Sequence, residues 1–252
     1  MILQYASDLH LEFSQNQRFL KSNPLQSGGD VLILAGDVMP FADLEKHHDF
    51  FDYLADHFET TYWIPGNHEY YQFDLARKCG QLNEAIRKNV HLVNNLTIKQ
   101  DDVRFIFSTL WSHISPSNQW KLQRSINDFR VIKYNSDRFD VAQFNEQHKQ
   151  CLEFIKQELE GESVEKIVVV THHVPTLMNY PERYKGDALN EAFAVELFDL
   201  IETTQPHCWI YGHHHFNTPD FNIGTTQMLT NQLGYVEHGG SRYFSTDKTL
   251  DL

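Results

Sequence analysis

Cysteine is scarce in this chain, and its few cysteines show no metal-binding or disulfide-type spacing. The 252 residues include Cys79, Cys151 and Cys208, which are scattered and form no CxxC pair. An odd and scattered set argues against a disulfide framework and against a thiolate zinc site, and it is typical of a reducing compartment. We therefore expect a cytoplasmic protein.

Long apolar runs and an excess of basic charge are also missing. No stretch approaches the roughly 18 apolar residues of a membrane span. The first residues, MILQYASDLH, lack the basic and then apolar regions of a secretory signal, so no membrane partner is expected. A formal net charge of −13 disfavours a basic surface that grips long nucleic acid, although bound divalent metals would cancel part of this charge locally. Nothing in the sequence indicates an oligomeric state.

Short apolar runs alternate with longer amphipathic stretches along the chain. Buried strands are predicted at residues 2–6, 31–35, 61–64, 103–108, 166–170, 208–211 and 225–229. Helices are predicted at 141–159 and near 42–57, 74–89 and 189–203, with irregular stretches at 14–29, 111–139, 174–188 and 215–224. This alternation predicts one layered α/β domain with sheet inside and helices outside.

A polar cluster follows at once after each of five predicted strands. The clusters contain Asp8 and His10, Asp37, Asn67 and His68, His172 and His173, and His213, His214 and His215. In α/β sheets, ligands bind in the crevice beyond the carboxyl ends of the strands. Each cluster alone is an ordinary turn or cap signal, but five in order at strand ends indicate one shared site.

The side chains in these clusters supply oxygen and imidazole donors without a thiolate. Such donors suit Mn, Fe, Zn or Co better than a structural zinc site. Two metals held about 3.5–4 Å apart would serve an in-line displacement at phosphorus. We therefore expect two divalent ions, with Mn preferred and Fe or Zn as alternatives.

The ordered motifs D-x-H, G-D, G-N-H-E, H and G-H-x-H resemble the signature of calcineurin-like metallophosphoesterases. In this chain the motifs are Asp8-Leu9-His10, Gly36-Asp37, Gly66-Asn67-His68-Glu69, His172 and Gly212-His213-His214-His215. The resemblance runs from about residue 2 to 235. It implies a four-layer α/β/β/α sandwich with a dinuclear metal site at the strand ends, in a single domain spanning 1–252. It also implies hydrolysis of phosphodiester or phosphomonoester bonds by attack of a metal-bridging hydroxide.

The resemblance also implies a role for each motif residue. Asp8, His10, Asp37 and His215 would hold one metal, and Asp37 would bridge to a second. Asn67, His172 and His213 would complete that second site. The catalytic set would be His68, Asp37 and Asn67, with His68 contacting phosphate and protonating or stabilising the leaving oxygen. Glu69 would orient His68 or a backbone group.

Not every histidine in these motifs is expected to bind metal. His213 and His215 would point the same way from an extended loop, whereas the middle residue, His214, would point away and bind no metal. His173 follows the family ligand His172 and is expected at the rim of the active site, where it would contact substrate. His148 is expected to lie on the surface, with His47, His48 and His57.

Departures from several subfamilies narrow the expected function. The chain has GDVMPFAD where protein Ser/Thr phosphatases carry an Asp-Arg-Gly run, and Pro40 where purple acid phosphatases carry a metal-binding tyrosine. The close bacterial group shows Asn-Pro-Arg-Gly-Tyr near the end, whereas this chain has Asn231-Gln232-Leu233-Gly234-Tyr235. The alternatives are a single-strand nuclease of the same fold and a non-catalytic scaffold, which the complete ligand set disfavours.

Residues 119–138 carry no metal motif and mix basic with aromatic side chains. They lie within 111–139, a candidate lid insertion. Basic groups can hold a second phosphate and aromatic faces can stack on a base. Arg124 and Arg130 are therefore expected to bind a small phosphate ester or nucleotide substrate. In the alternative interpretation the aromatic residues pack beneath the loop and the charges are solvated.

Overall fold

The computed structural model describes residues 1–161 and 166–252, and within them two six-stranded sheets form the centre. The strands are β1 (Ile2–Ala6), β2 (Val31–Ala35), β3 (Thr60–Ile64), β4 (Leu82–Arg87), β5 (Val90–Asn94), β6 (Leu96–Gln100), β7 (Val103–Ser108), β8 (Lys133–Tyr134), β9 (Asp137–Arg138), β10 (Lys166–Thr171), β11 (Cys208–Ile210), β12 (Phe221–Ile223), β13 (Thr226–Leu229) and β14 (Thr249–Asp251).

Helices and short 3-10 turns connect these strands. The helices are α1 (Ser14–Ser22), α2 (His48–His57), α3 (Gln119–Ser125), α4 (Asp128–Val131), α5 (Val141–Leu159) and α6 (Phe198–Thr204). The 3-10 turns are Phe41–His47, His68–Tyr70, Leu75–Arg77, Glu182–Tyr184, Ala188–Ala192, Val236–His238 and Gly240–Tyr243.

The two sheets share one plan, a parallel centre between antiparallel edges. The first has the order β14-β1-β2-β3-β5-β4 and the second β12-β13-β11-β10-β7-β6. Pairs within β1-β2-β3-β5 and within β13-β11-β10-β7 are parallel. The edge strands β14, β4, β12 and β6 pair antiparallel. Because the central strands of each sheet are parallel, their carboxyl ends lie at the same end of that sheet.

Alternate side chains of each central strand face different layers. On β2, Val31 and Ile33 join the core between the sheets, whereas Leu32 and Leu34 join the core beneath α2. On β10, Val168 lies between the sheets, and Val169 packs with Ile155 of α5. The predicted α/β/β/α sandwich is therefore confirmed. Both sheets are covered on both faces, which explains why their strands are continuous apolar runs.

The long helix α5 has the predicted bounds, and one prediction about its side chains was wrong. Asp140 and Gln143 form a reciprocal capping box at its start. His148 is buried, not on the surface, and its Nδ1 lies 3.2 Å from the carbonyl oxygen of Leu110. Its place in the apolar spacing of the helix, between Phe144 and Cys151, was the better guide to its burial.

The helix predicted near 74–89 is absent, and a 3-10 turn followed by strand β4 takes its place. Gly80 adopts a φ of +75°, a left-handed conformation that ends a helical path. β4 then pairs antiparallel with β5. The predicted helix near 189–203 is likewise shorter, because a 3-10 turn at Ala188–Ala192 precedes α6.

The stretches predicted to be irregular contain short elements. Residues 14–29 include α1, and residues 111–139 include α3, α4 and the two-stranded hairpin β8-β9. Among the described residues, none of the helices combines the length and apolar character needed to cross a membrane.

Candidate metal centre

The five predicted clusters meet where the carboxyl ends of the central strands of both sheets converge. Asp8 and His10 follow β1, Asp37 follows β2, and Asn67 and His68 follow β3. From the second sheet, His172 follows β10, and His213 and His215 follow β11. All of these side chains are buried except that of His215, which is partly exposed.

The first group of donors is formed by Asp8, His10, Asp37 and His215, whose donor atoms lie within 4.8 Å of one another. Nε2 of His10 lies 2.9 Å from Nε2 of His215, which in turn lies 3.3 Å from Oδ1 of Asp8. Two carboxylates and two imidazoles are a donor set that a divalent transition metal accepts.

Asp37, His172 and His213 form a second group with the same spacing limit of 4.8 Å. Nε2 of His172 lies 3.0 Å from Nδ1 of His213 and 3.3 Å from Oδ2 of Asp37. Oδ2 of Asp37 also lies 3.7 Å from Nε2 of His10, so this carboxylate oxygen stands between the two groups. Burial would raise the pKa of Asp37, but His172, His68 and His10 hold that pKa well below its usual range.

Asn67 lines the same cavity as Asp37 and His213, and its amide has a defined orientation. Its Nδ2 donates to Oδ1 of Asp128 at 2.9 Å, and its Oδ1 is buried without a hydrogen-bond partner among the described residues. A buried amide oxygen without a partner is costly in a folded protein. A divalent cation would satisfy it, so Asn67 fits the donor set.

The backbone at these residues is held in an uncommon conformation. Five candidate donors have positive φ angles, between +47° and +79°. They are Asp8, His10, Asp37, His213 and His215. Left-handed conformations cost free energy in residues with a Cβ, and they cluster at functional sites.

Two glycines of the motifs leave room for the donors. A Cβ on Gly66 would lie 2.2 Å from Oδ1 of Asp37, and a Cβ on Gly212 would lie 2.5 Å from Oδ2 of Asp8. Both distances are far below van der Waals contact. The glycine before Asn67 and the glycine before His213 are therefore explained by close approach of the backbone to a carboxylate.

Glu69 organises the loop that carries Asp37, and it does not contact the ring of His68. Its carboxylate accepts backbone N–H bonds from Asp37 at 3.0 Å, Val38 at 2.7 Å and Gly66 at 2.6 Å. The indole N–H of Trp63 donates to it at 3.1 Å. Of the two roles expected for Glu69, the structure therefore supports orientation of backbone groups.

His68 projects into a cavity of about 590 Å³ that Asp37, Asn67 and His213 also line. Its Nδ1 lies 2.8 Å from Oε1 of Glu12, and its ring stacks on Tyr71 at 3.9 Å between centroids. Burial would lower the pKa of His68, but the carboxylates of Asp37 and Glu12 raise it to about 9. A charged imidazole beside the donors suits contact with phosphate.

The three consecutive histidines separate as expected, although for a different geometric reason. His213 and His215 have φ angles of +79° and +49°, so the loop is not extended. Nδ1 of His213 faces His172, and Nε2 of His215 faces His10. His214 lies near Tyr180 and Tyr211, and Nε2 of Gln232 lies 2.9 Å from its Nδ1. It is absent from both donor groups.

His173 was predicted at the rim, and the structure corrects this position. Its side chain is fully buried, against Trp111 at 5.3 Å and His213 at 4.1 Å between ring centroids. Neither ring nitrogen has a hydrogen-bond partner among the described residues. Burial holds the pKa of His173 well below its usual range, so it is a neutral packing residue that does not line the cavity.

Arg124 and Arg130, predicted to bind substrate, are also not part of the cavity lining. The Arg124 guanidinium stacks over Trp120 at 4.8 Å, and Nη2 of Arg130 donates to the carbonyl of Arg124. Arg183 does line the cavity, and its guanidinium stacks over Tyr184 at 4.5 Å. Within residues 111–139, it is 125–128 that line the cavity.

Sequence reasoning overlooked Glu12, Asp128 and Arg183. The alternation in Asp8-Leu9-His10-Leu11-Glu12, whose leucines are buried, could have indicated that Glu12 lies on the same side as the donors. Asp128 is distant in sequence from every motif, and Arg183 lies in a stretch without a pattern. Only the folded chain brings these two to the site.

A four-layer sandwich with carboxylates and imidazoles gathered at its strand ends is the arrangement of metallophosphoesterases. The family model for calcineurin-like phosphoesterases matches residues 5–217, and the chain belongs to this family. It is therefore a hydrolase.

One relative and one solved structure extend this comparison. An uncharacterised protein of Acanthamoeba polyphaga mimivirus is 32% identical, in an alignment that covers 93% of this chain and 91% of the relative. The crystal structure of a phosphopantetheinyl hydrolase from Mycobacterium tuberculosis superposes with a TM-score of 0.71 over 98% of this chain and 95% of that one. At 16% identity, this second likeness concerns the fold alone.

Proposed function

We propose that this chain is a dinuclear-metal-dependent phosphoesterase that hydrolyses phosphomonoesters or phosphodiesters. The observation that carries the proposal is Asp37, whose Oδ2 stands between the imidazoles of His10 and His172. Asp8, His10 and His215 would share one ion with Asp37, and Asn67, His172 and His213 would share the other. When bound, two such ions lower the pKa of a water nucleophile and neutralise charge on the phosphoryl group.

The residues around the donors support this chemistry. The carbonyl oxygen of Ala35 lies 2.9 Å from Nδ1 of His172, and that of Ala192 lies 3.2 Å from Nε2 of His213. These contacts place the N–H on the ring nitrogen that faces each carbonyl, so the other nitrogen is free to bind metal. His68 would contact the phosphate and deliver a proton to the leaving oxygen. Glu12, on Nδ1 of His68, leaves Nε2 as the proton-donating atom.

The donor chemistry and the free cysteines support finer parts of the proposal. Oxygen and imidazole donors without thiolate favour Mn, with Fe or Zn as alternatives. Cys79, Cys151 and Cys208 are all free thiols, which supports a reducing, cytoplasmic location. The proposed domain boundaries remain 1–252, with residues 111–139 as an insertion whose 125–128 portion lines the cavity.

Arg183 supports a small substrate with a second anionic group, such as a nucleotide. No carboxylate pairs with it among the described residues, and it lines the cavity beside His213, His214 and His215. The aromatic side chains of Tyr184 and Phe193 belong to the same lining, where they could contact a base or another flat group of a substrate. A long single strand is less favoured at a net charge of −13.

A reconstitution experiment tests the proposal. The metal-stripped full chain is titrated with Mn²⁺, and turnover is measured on p-nitrophenyl esters, cyclic nucleotides, dinucleotides and single-stranded DNA. We expect two ions per chain and turnover of small esters that depends on both. One ion per chain, or turnover without added metal, would contradict the dinuclear site. Preferential cleavage of single-stranded DNA would favour the nuclease alternative.

A further inference from the structure

Asp128 lies in the stretch between β7 and α5, far in sequence from the metal motifs, yet it contacts one of them. It begins the short helix α4 and is 3% exposed. Its Oδ1 accepts two hydrogen bonds of 2.9 Å, one from Nδ2 of Asn67 and one from the hydroxyl of Tyr71. Burial of a carboxylate costs free energy, and at Asp128 the two hydrogen bonds on Oδ1 come from neutral donors.

Asp128 determines which end of the Asn67 amide faces it. A carboxylate accepts hydrogen bonds and does not donate them, so the amide end that faces Asp128 must be the NH₂. The oxygen end is thereby turned away from Asp128, and this oxygen is buried without a hydrogen-bond partner in residues 1–161 and 166–252. A divalent cation binds the oxygen of an amide and not its NH₂ group. The orientation of the amide therefore decides whether Asn67 is a ligand.

We propose that Asp128 is a positioning residue for metal binding, because it holds the amide oxygen of Asn67 in the ligand orientation. This inference rests on the proposed dinuclear site. Burial raises the pKa of Asp128, while the Asn67 and Tyr71 donors lower it. Residues 125–127, which precede Asp128, line the cavity. The segment thus connects the wall of the cavity to one ligand of the metal centre.

The test measures Mn²⁺ stoichiometry and Kd by calorimetry on the metal-stripped full chain. We expect Asp128→Ala to weaken binding of one of the two ions roughly 10–100-fold, as for other residues that orient metal ligands. Tyr71→Phe should weaken it less, because the Asn67 contact remains. Asp137→Ala, at an exposed aspartate of the same segment, is the matched control and should leave both Kd values unchanged.

A second background separates orientation from general stability. Asn67→Asp replaces the amide by a carboxylate, which offers an oxygen at either end and needs no orientation. In this background Asp128→Asn should strengthen Mn²⁺ binding, because it removes repulsion between two carboxylates and restores an amide–carboxylate pair. The double variant Asn67→Asp with Asp128→Asn keeps the volumes of both side chains. The comparison with Asn67→Asp therefore does not depend on whether Asp128→Ala folds.

The Mn²⁺ measurements distinguish failure of the positioning role from failure of the proposed dinuclear site. Weakening by Asp128→Ala in the native background, with strengthening by Asp128→Asn in the Asn67→Asp background, supports the positioning role. The positioning role would be overturned if both substitutions, each in its own background, weakened Mn²⁺ binding equally, or if neither changed it. This conclusion requires that the wild-type chain binds two ions. Fewer than two ions on the wild-type chain would instead contradict the proposed dinuclear function.

Discussion

Glu12 joins two histidines of the site, because its Oε1 lies 2.8 Å from Nδ1 of His68 and 3.0 Å from Nδ1 of His10. Both rings therefore direct Nε2 away from Glu12. Nε2 of His10 faces His215, in the first donor group. One carboxylate thus orients a candidate metal ligand and the candidate proton donor. Because these contacts are buried, a ring orientation that left either Nδ1 without a partner would cost free energy.

Glu12→Gln should lower kcat roughly 10–100-fold, since an amide oxygen in the place of Oε1 lacks the negative charge that holds a proton on Nδ1 of His68 and of His10. Kinetics on a p-nitrophenyl ester with Mn²⁺ would check this, with metal content measured alongside. Glu45→Gln, at an exposed glutamate, is the control and should leave kcat unchanged. An unaltered kcat in Glu12→Gln would mean that the carboxylate does not orient His68.

His68→Ala should keep both metal ions and lower kcat by roughly 10²–10⁴-fold, because proton transfer to the leaving oxygen is lost. The loss should be larger for alkoxide than for p-nitrophenolate leaving groups, since p-nitrophenolate departs without protonation. Steady-state kinetics on both ester types would check this, with His48→Ala on the exposed surface as control. Equal losses for both leaving groups would argue against proton donation.

His213→Ala and His214→Ala should differ in metal content. His213→Ala removes a donor of the second group and should reduce the Mn²⁺ stoichiometry from two towards one. His214→Ala should keep two ions but lower the free energy of unfolding by about 1–3 kcal/mol, because a buried hydrogen bond with Gln232 is lost. Elemental analysis and thermal unfolding would check both. Loss of an ion in His214→Ala would contradict its assignment as a non-ligand.

Gly212→Ala should disturb the first donor group through a steric clash. The added Cβ would lie 2.5 Å from Oδ2 of Asp8 and 2.7 Å from Oγ of Ser7. We expect Mn²⁺ binding at that group to weaken at least about tenfold, as when other metal ligands lose their orientation. In the control Gly28→Ala the nearest atoms lie at 3.5 Å, so its metal affinity should be that of wild type. Matching affinities in the two variants would refute the steric explanation.

Arg183→Ala should raise KM several-fold for a nucleotide ester that carries a second phosphate. It should leave bis-p-nitrophenyl phosphate unaffected, because that substrate has no second anionic group to pair with the guanidinium. Arg124→Ala is the matched control, since that guanidinium stacks on Trp120 outside the cavity lining. A similar response of both substrates to Arg183→Ala would remove the support for a nucleotide preference.

Much of the fold was predictable because its strands are unusually clear in sequence. Strands covered on both faces are continuous apolar runs, and each predicted run became a strand. The error at residues 74–89 arose where local spacing resembled a helix. There Gly80 interrupts the path, and pairing with Val90–Asn94 stabilises a strand. Pairing partners of this kind lie outside any local window.

The sequence alone predicted the candidate metal ligands, because each motif directly follows a strand and the ordered motifs resemble those of calcineurin-like metallophosphoesterases. Asp8, Asp37 and His172 needed no tertiary information beyond parallel pairing. Tertiary structure decided everything that depends on contacts between distant segments. It buried His173 against Trp111, aligned Asp128 with Asn67, and placed Arg183 instead of Arg124 in the cavity lining. The orientation of a loop residue depends on what packs against it, and spacing in the sequence does not encode that.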